Sequence, residues 1–114
     1  MKKEPLVFIE HILQCIKAIR EYTKNITKDE FLESEEKQDA VIRRIEIIGE
    51  AAKNLPPHVK DKFPKVPWKR MTGMRDILVH SYFGVDLNLT WKVATDDIKD
   101  LEKQIREVKK KLAK

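Results

Sequence analysis

Val41-Ile42-Arg43-Arg44-Ile45-Glu46-Ile47-Ile48-Gly49-Glu50-Ala51-Ala52-Lys53-Asn54-Leu55-Pro56-Pro57 carries the clearest structural signal in this 114-residue chain. Val41, Ile42, Ile45, Ile48, Ala52 and Leu55 fall mainly at three- and four-residue steps, so one face of an α-helix gathers them. Leu55-Pro56-Pro57 ends that helix, because a residue before proline is pushed out of the α region. Ser34 is a candidate cap upstream of it.

Toward the N-terminus the same periodicity returns. Leu6, Ile9, Ile12, Leu13, Ile16 and Ile19 form an apolar stripe over 5–23. Pro5 suits a first helical turn. Cys15 lies beside this stripe and reads as a semi-buried small side chain. Between the two helices, Thr27 and Glu30 have the spacing of a capping box and predict a short helical turn over 28–33.

Toward the C-terminus, Pro56 to Val66 reads as a connector with one helical turn near His58–Phe63. Pro67 opens a third helix from Trp68 to about His80, with Met71, Met74, Ile77 and Leu78 facing inward. Gly73 weakens that helix by roughly 1 kcal/mol relative to alanine, and its lack of a side chain allows close approach of another backbone. Ser81 to Val85, containing Gly84, reads as a break. Asp86 caps the next helix, lined by Leu87, Trp91 and Ala94. Asp96 or Asp97 is a point where the phase can restart. Ile98, Leu101, Ile105, Val108 and Leu112 then continue at helical spacing. No stretch alternates apolar and polar residues as a strand would. The expectation is a single all-α domain over 1–114, an up-and-down bundle of four to five helices.

Composition agrees. Hydrophobic residues make up 41% and charged residues 38% of the chain, which suits a packed core under solvated helix faces. One cysteine cannot form an internal disulfide or a Cys-rich zinc site. No segment approaches the roughly 18 apolar residues of a membrane span, and no signal-like segment opens the chain. A cytoplasmic location and no membrane partner are expected. The net charge is +5, from 24 basic and 19 acidic residues, and it is unevenly spread. Residues 29–36 carry five acids and no base, whereas residues 53–75 carry seven bases and one acid. A basic region of that kind can meet an anionic partner, or can simply be a solvated face.

The chemistry concentrates in Met74-Arg75-Asp76-Ile77-Leu78-Val79-His80-Ser81-Tyr82-Phe83-Gly84. Asp76 and His80 are four apart, on one face of a helix, so a carboxylate there can fix the imidazole tautomer. Positions 75 and 80 lie about 140° apart around a regular helix. Either the helix loosens at His80, or two copies of the chain share a site. These groups suit metal-free cleavage of an RNA phosphodiester. An imidazole can take or give a proton near neutral pH. An Arg fork suits an anionic, phosphorane-like transition state. The plainer alternative is that Asp76 and His80 cap a helix end while Arg75 pairs with an acid of the second helix. Ser81 beside His80 does not by adjacency make a nucleophile.

The whole string Arg75-x4-His80-Ser81-Tyr82-Phe83-Gly84-Val85-Asp86, followed by Trp91, resembles the HEPN family, and within it the HepT-like toxins with their Arg-x4-His-x-Tyr motif. Arg44-Ile45-Glu46-Ile47-Ile48-Gly49-Glu50-Ala51-Ala52-Lys53 is similar to that family's second-helix signature. The resemblance implies an all-α homodimer in which Arg75 and His80 of two chains form a metal-independent ribonuclease, with no cofactor. It implies a minimal nucleotidyltransferase antitoxin that transfers AMP from ATP onto Tyr82, adding charge and bulk beside the cleft. Asp76 stands where many relatives carry Asn. Ile98 stands where many carry Pro, so the last two helical stretches are expected to run together.

Several further residues are candidates on the same reading. Glu46 and Glu50, four apart on the second helix, either support Arg75 at the cleft or serve as ordinary surface charge. Lys53, Lys69 and Arg70 are positioned to guide an RNA backbone or are merely solvated. Trp68 and Trp91 read as core or dimer anchors rather than base-stacking platforms. His11 and His58 lack a second ligand nearby, so no metal is expected. Tyr22 has no partner apparent from sequence. A second class of function is a non-catalytic module that docks a nucleotidyltransferase or binds a nucleotide in the same cleft.

Overall fold

Ile9, Ile12, Ile16 and Ile19 are fully buried along α1 (Pro5–Thr23), as their spacing requires. The computed structural model describes residues 4–80 and 86–113, and the side chains of all of these except Arg75 and residues 77–80. Cys15 joins the α1 stripe as a fully buried residue, 2% exposed, rather than a half-buried one. It sits three residues after Ile12 and four before Ile19, squarely on the inward face.

Thr27 begins α2 (Lys28–Glu33) with the capping box its spacing predicts. The Glu30 amide donates to Thr27 Oγ1 at 3.1 Å, and the Thr27 amide donates to Glu30 Oε1 at 2.9 Å. Ser34 then caps α3 (Glu35–Asn54), accepting from the Lys37 amide at 3.2 Å. Gln38 Nε2 reaches back to the Phe31 and Leu32 carbonyls, satisfying the open end of α2. Val41, Ile45, Ile48 and Ala52 are the buried face of α3, and Leu55 stops it in extended backbone before Pro56.

The predicted connector contains a short helix, α4 (Pro57–Lys62), which buries Val59. Lys60 Nζ donates to the Ala52 carbonyl at 3.2 Å and so closes the C-terminal end of α3. The next helix, α5 (Trp68–His80), buries Trp68, Met71 and Met74. Trp68 Nε1 donates to the Phe63 carbonyl at 3.1 Å, so the indole is a core anchor with its one donor satisfied.

Asp86 caps α6 (Leu87–Lys92), accepting from the Leu89 amide at 3.0 Å. The last two helical stretches run together, as expected at Ile98, and the helical phase resets across residues that end at Asp97. The helix runs on through a π-helical segment, Val93–Asp97, into α7 (Ile98–Leu112). The π turn takes in one extra residue, and this adds to the expected inward face. Upstream of it Thr90 is fully buried, Trp91 packs against the core half-buried, and Val93 joins Ala94. Thr90 Oγ1 donates to the Asp86 carbonyl at 2.9 Å, which makes its burial tolerable. Trp91, half-buried, packs on the ring of Phe31 at 5.3 Å between centroids.

The result is an all-helical bundle. Four long helices, α1, α3, α5 and α7, carry it, with α2, α4 and α6 as six-residue additions. One continuous core joins α1 to α3 and α7, and α3 to α5. Among the described residues, no helix is long and apolar enough to cross a membrane.

Candidate active site

The candidate residues from Lys69 to His80 lie along α5, and the packing of that helix sets their positions. Trp68, Met71 and Met74 seat one face of α5 against α3. The opposite face is left to solvent, and Lys69 and Asp76 are exposed there. The backbone stays helical through His80. No loosening occurs up to that residue, and positions 75 and 80 therefore remain about 140° apart around one axis.

The side chains of Arg75 and His80, and all of residues 81–85 including Ser81, Tyr82 and Gly84, lie outside the described residues. So do the expected inward contacts of Ile77 and Leu78, and the expected contact between Asp76 and His80.

The three basic residues proposed for RNA do not share one surface. Lys53 and Lys69 border an open recess of about 790 Å³ that Gly73 and Asp76 also line. Arg70 faces the other way. Its Nη2 donates to Asp97 Oδ2 at 3.0 Å, and Lys92 approaches the same carboxylate at 3.5 Å. Arg70 borders a smaller recess of about 320 Å³ with an apolar floor that includes Ile45, Met71 and Leu101. Glu46 is met by Arg43 on its own helix, at 3.9 Å, and Glu50 is exposed one turn further on. Among the described residues no heavy atom comes within 4 Å of where a Cβ on Gly73 would stand.

Two polar clusters escaped the sequence reading because each joins distant helices. Arg44 donates to Cys15 Sγ at 3.9 Å. Hydrogen bonds to Tyr22 first and Cys15 second outweigh burial and hold its guanidinium above the ordinary value. Tyr22 thus gains a partner, and Lys37 stands over its ring at 5.9 Å. At the far end of α1, Arg20 pairs with Glu102 of α7, and Arg106 adds a second contact at 3.1 Å. Burial alone would push the Glu102 carboxyl up. Hydrogen bonds from Arg106 and Arg20 outweigh that and hold it below the ordinary carboxylate range. Among the described residues no three His, Cys, Asp or Glu side chains gather as a metal site, and His11 and His58 are both exposed.

An all-helical bundle whose sequence carries an Arg-x4-His-x-Tyr string from α5 onward defines a class before it defines a relative. Residues 12–108 match the family described as "Ribonuclease HepT-like". The chain belongs to the HepT-like ribonuclease family, and its enzyme class is accordingly that of a ribonuclease. A protein of Methanocaldococcus jannaschii named "Gamma-glutamylcyclotransferase and putative RNase" is 51% identical over 114 residues, all of this chain, which spans about half (51%) of that relative's length. Similarity to a Caldanaerobacter subterraneus protein named "Putative RNase" is 43% identity over 96% of this chain and 97% of that one. A Thermococcus cleftensis protein named "Probable ribonuclease HepT" is 42% identical over 96% of this chain and 100% of its own. No solved structure matches.

Proposed function

We propose that this chain is the toxin of a toxin–antitoxin pair, a metal-independent endoribonuclease that acts as a homodimer in the cytoplasm and forms a single domain over 1–114. The observation that carries the proposal is the placement of the Arg75-x4-His80-x-Tyr82 string. It runs from the second half of α5, whose backbone is helical through position 80, and lies inside the stretch matched by the ribonuclease family. With the backbone helical to His80, positions 75 and 80 of one chain point to different sides of the helix. That favours a site shared by two copies.

In such a site one His80 takes the proton of a ribose 2′-hydroxyl. The freed oxygen bonds to phosphorus, and the bond from phosphorus to the 5′ oxygen breaks. The second His80 gives its proton to that leaving oxygen. Arg75 stabilises the charge that builds on the phosphoryl oxygens. Asp76 orients His80, and Glu46 and Glu50 support the cleft from α3. Lys53 and Lys69 guide the RNA backbone. Arg70 contributes less, because Asp97 already faces it.

Control comes from a minimal nucleotidyltransferase antitoxin. The Tyr82 hydroxyl attacks the α-phosphorus of ATP, pyrophosphate leaves, and AMP remains on the tyrosine. The added phosphate repels an RNA phosphate beside Arg75 and His80. An intact-mass spectrum of the chain, alone and after incubation with its neighbouring nucleotidyltransferase and ATP, tests this. One AMP per chain mapping to Tyr82 is expected. An unmodified Tyr82 with an active transferase removes the modification.

A second reading is favoured by Asp76, which is exposed on the helix that RNA would approach. On that reading the chain docks a nucleotidyltransferase or binds a nucleotide without cutting RNA. Toxicity that disappears with His80→Ala while the dimer persists argues against it.

A further inference from the structure

Gly73 lies in the interior of α5, where glycine weakens a helix relative to alanine. Nothing in the described fold accounts for it. No described glycine has a positive φ, so no backbone conformation demands the residue. A Cβ there would meet no heavy atom within 4 Å among the described residues, so no packing contact demands it either. Among the described residues, the space over Gly73 is therefore open.

The space above Gly73 is the recess bordered by Lys53, Lys60 and Lys69, each from a different helix. Lys60 is turned to the Ala52 carbonyl and contributes its charge in place. Lys53 and Lys69 are exposed. Along α5 the neighbours of Gly73 on this face are Lys69, Thr72 and Asp76. A glycine that admits a second protein helix is expected among apolar neighbours, since interface centres are depleted of charge. Here the neighbours on α5 itself are polar or charged, and the apolar part of the recess comes from Pro64, Val66, Pro67 and Trp68 at and before the start of that helix.

We infer that the recess is a track for a single RNA strand, in which Gly73 lets the ribose-phosphate backbone lie directly against α5. The inference rests on the ribonuclease function proposed above and specifies where its substrate runs. Lys53 and Lys69 attract the phosphates. Asp61 and Asp76, which also line the recess, would repel a phosphate but accept a hydrogen bond from a ribose 2′-hydroxyl. Acceptors so placed distinguish RNA from DNA. Position 80 lies seven residues beyond Gly73, about 20° away around the helix axis, so a strand that passes Gly73 runs toward it.

The test uses the full chain with His80→Ala, so that RNA is bound without being cut, and a short single-stranded oligouridylate as probe. Gly73→Ala and Gly73→Leu are compared with this parent for melting temperature, oligomeric state and affinity. Gly73→Ala is expected to melt about 4 °C higher, keep its oligomeric state and bind RNA more weakly. Gly73→Leu is expected to lose about tenfold in affinity, equivalent to about 1.4 kcal/mol. Lys69→Gln, which leaves the glycine in place, should lower the slope of log affinity against log salt by about 0.7, the single-strand value for one phosphate. The deoxy counterpart of the probe should bind more weakly than the RNA. Unchanged affinity in both glycine variants overturns the inference, as does a change in oligomeric state, which would assign Gly73 to a contact between copies. If the wild-type chain still cleaves RNA in either of those cases, only the track falls. If the wild-type chain neither binds nor cleaves RNA, the ribonuclease function falls with it.

Discussion

Arg70 and Lys69 are sequence neighbours that serve opposite sides of α5. Arg70 donates to Asp97 at 3.0 Å, tying the start of α5 to the π-helical segment, while Lys69 borders the recess shared with Lys53. Their variants should separate accordingly. The Arg70–Asp97 pair is exposed, so Arg70→Gln should cost only about 0–1 kcal/mol of stability. It should also leave the salt dependence of RNA binding nearly unchanged. Lys69→Gln should do the reverse, holding stability and lowering the salt slope. Denaturant melts and RNA titrations at several salt concentrations check both.

Glu102 makes the fold sensitive to acid. Arg106 and Arg20 hold its carboxyl below the ordinary range in the folded chain. On acidification the unfolded chain therefore takes up this proton first. The contribution is full above the unfolded carboxylate value of about 4.3 and is lost as pH falls through the lower folded value. Melting temperatures followed from neutral pH downward should fall less steeply for Glu102→Gln than for the wild type. The variant should also start lower at neutral pH.

Phe31 links the short helices to the bundle. It is fully buried, and its ring lies 5.3 Å from that of Trp91. Phe31→Ala should cost about 3–5 kcal/mol, a large share of the 5–15 kcal/mol or so that holds a typical protein folded. Thr27→Ala removes only the cap of α2 and should cost about 1 kcal/mol. Chemical denaturation of the two variants side by side measures the difference.

Much of this fold was legible because its signals are local. The Thr27 and Glu30 spacing predicts its box, Ser34 and Asp86 predict their caps, and the isoleucine steps of α1 and α3 predict the faces they bury. The inward face of α6 was only partly legible. The possible phase restart at Asp96 or Asp97 marked the region but not the π turn itself, so the complete burial of Thr90 beside a half-buried Trp91 was not foreseen. The pairing of Arg44 with Tyr22 and Cys15, and of Arg20 with Glu102, joins residues from separate helices and has no local signal. At the site, the Arg75, His80 and Tyr82 pattern was readable as a string. The grouping of Lys53 with Lys69, and the separation of both from Arg70, needed the packing of α3 against α5. The open space over Gly73 likewise follows from tertiary structure alone.

Removal of the acid–base group should separate chemistry from binding. His80→Ala removes acid and base from the two copies together, so it should lower the cleavage rate by more than the roughly 10²–10⁴-fold of one such group and leave the melting temperature and RNA affinity near those of the wild type. Single-turnover cleavage and binding measured on the same preparation check this.

The most direct measurement of the central claim is cleavage of a single-stranded RNA by the purified, unmodified chain in the presence of a metal chelator, with the product ends identified. The account predicts cleavage that survives chelation, leaves a 2′,3′-cyclic phosphate on one fragment and a 5′-hydroxyl on the other, and disappears in both Arg75→Ala and His80→Ala. Cleavage that the chelator abolishes, or that persists undiminished in folded His80→Ala, would contradict it.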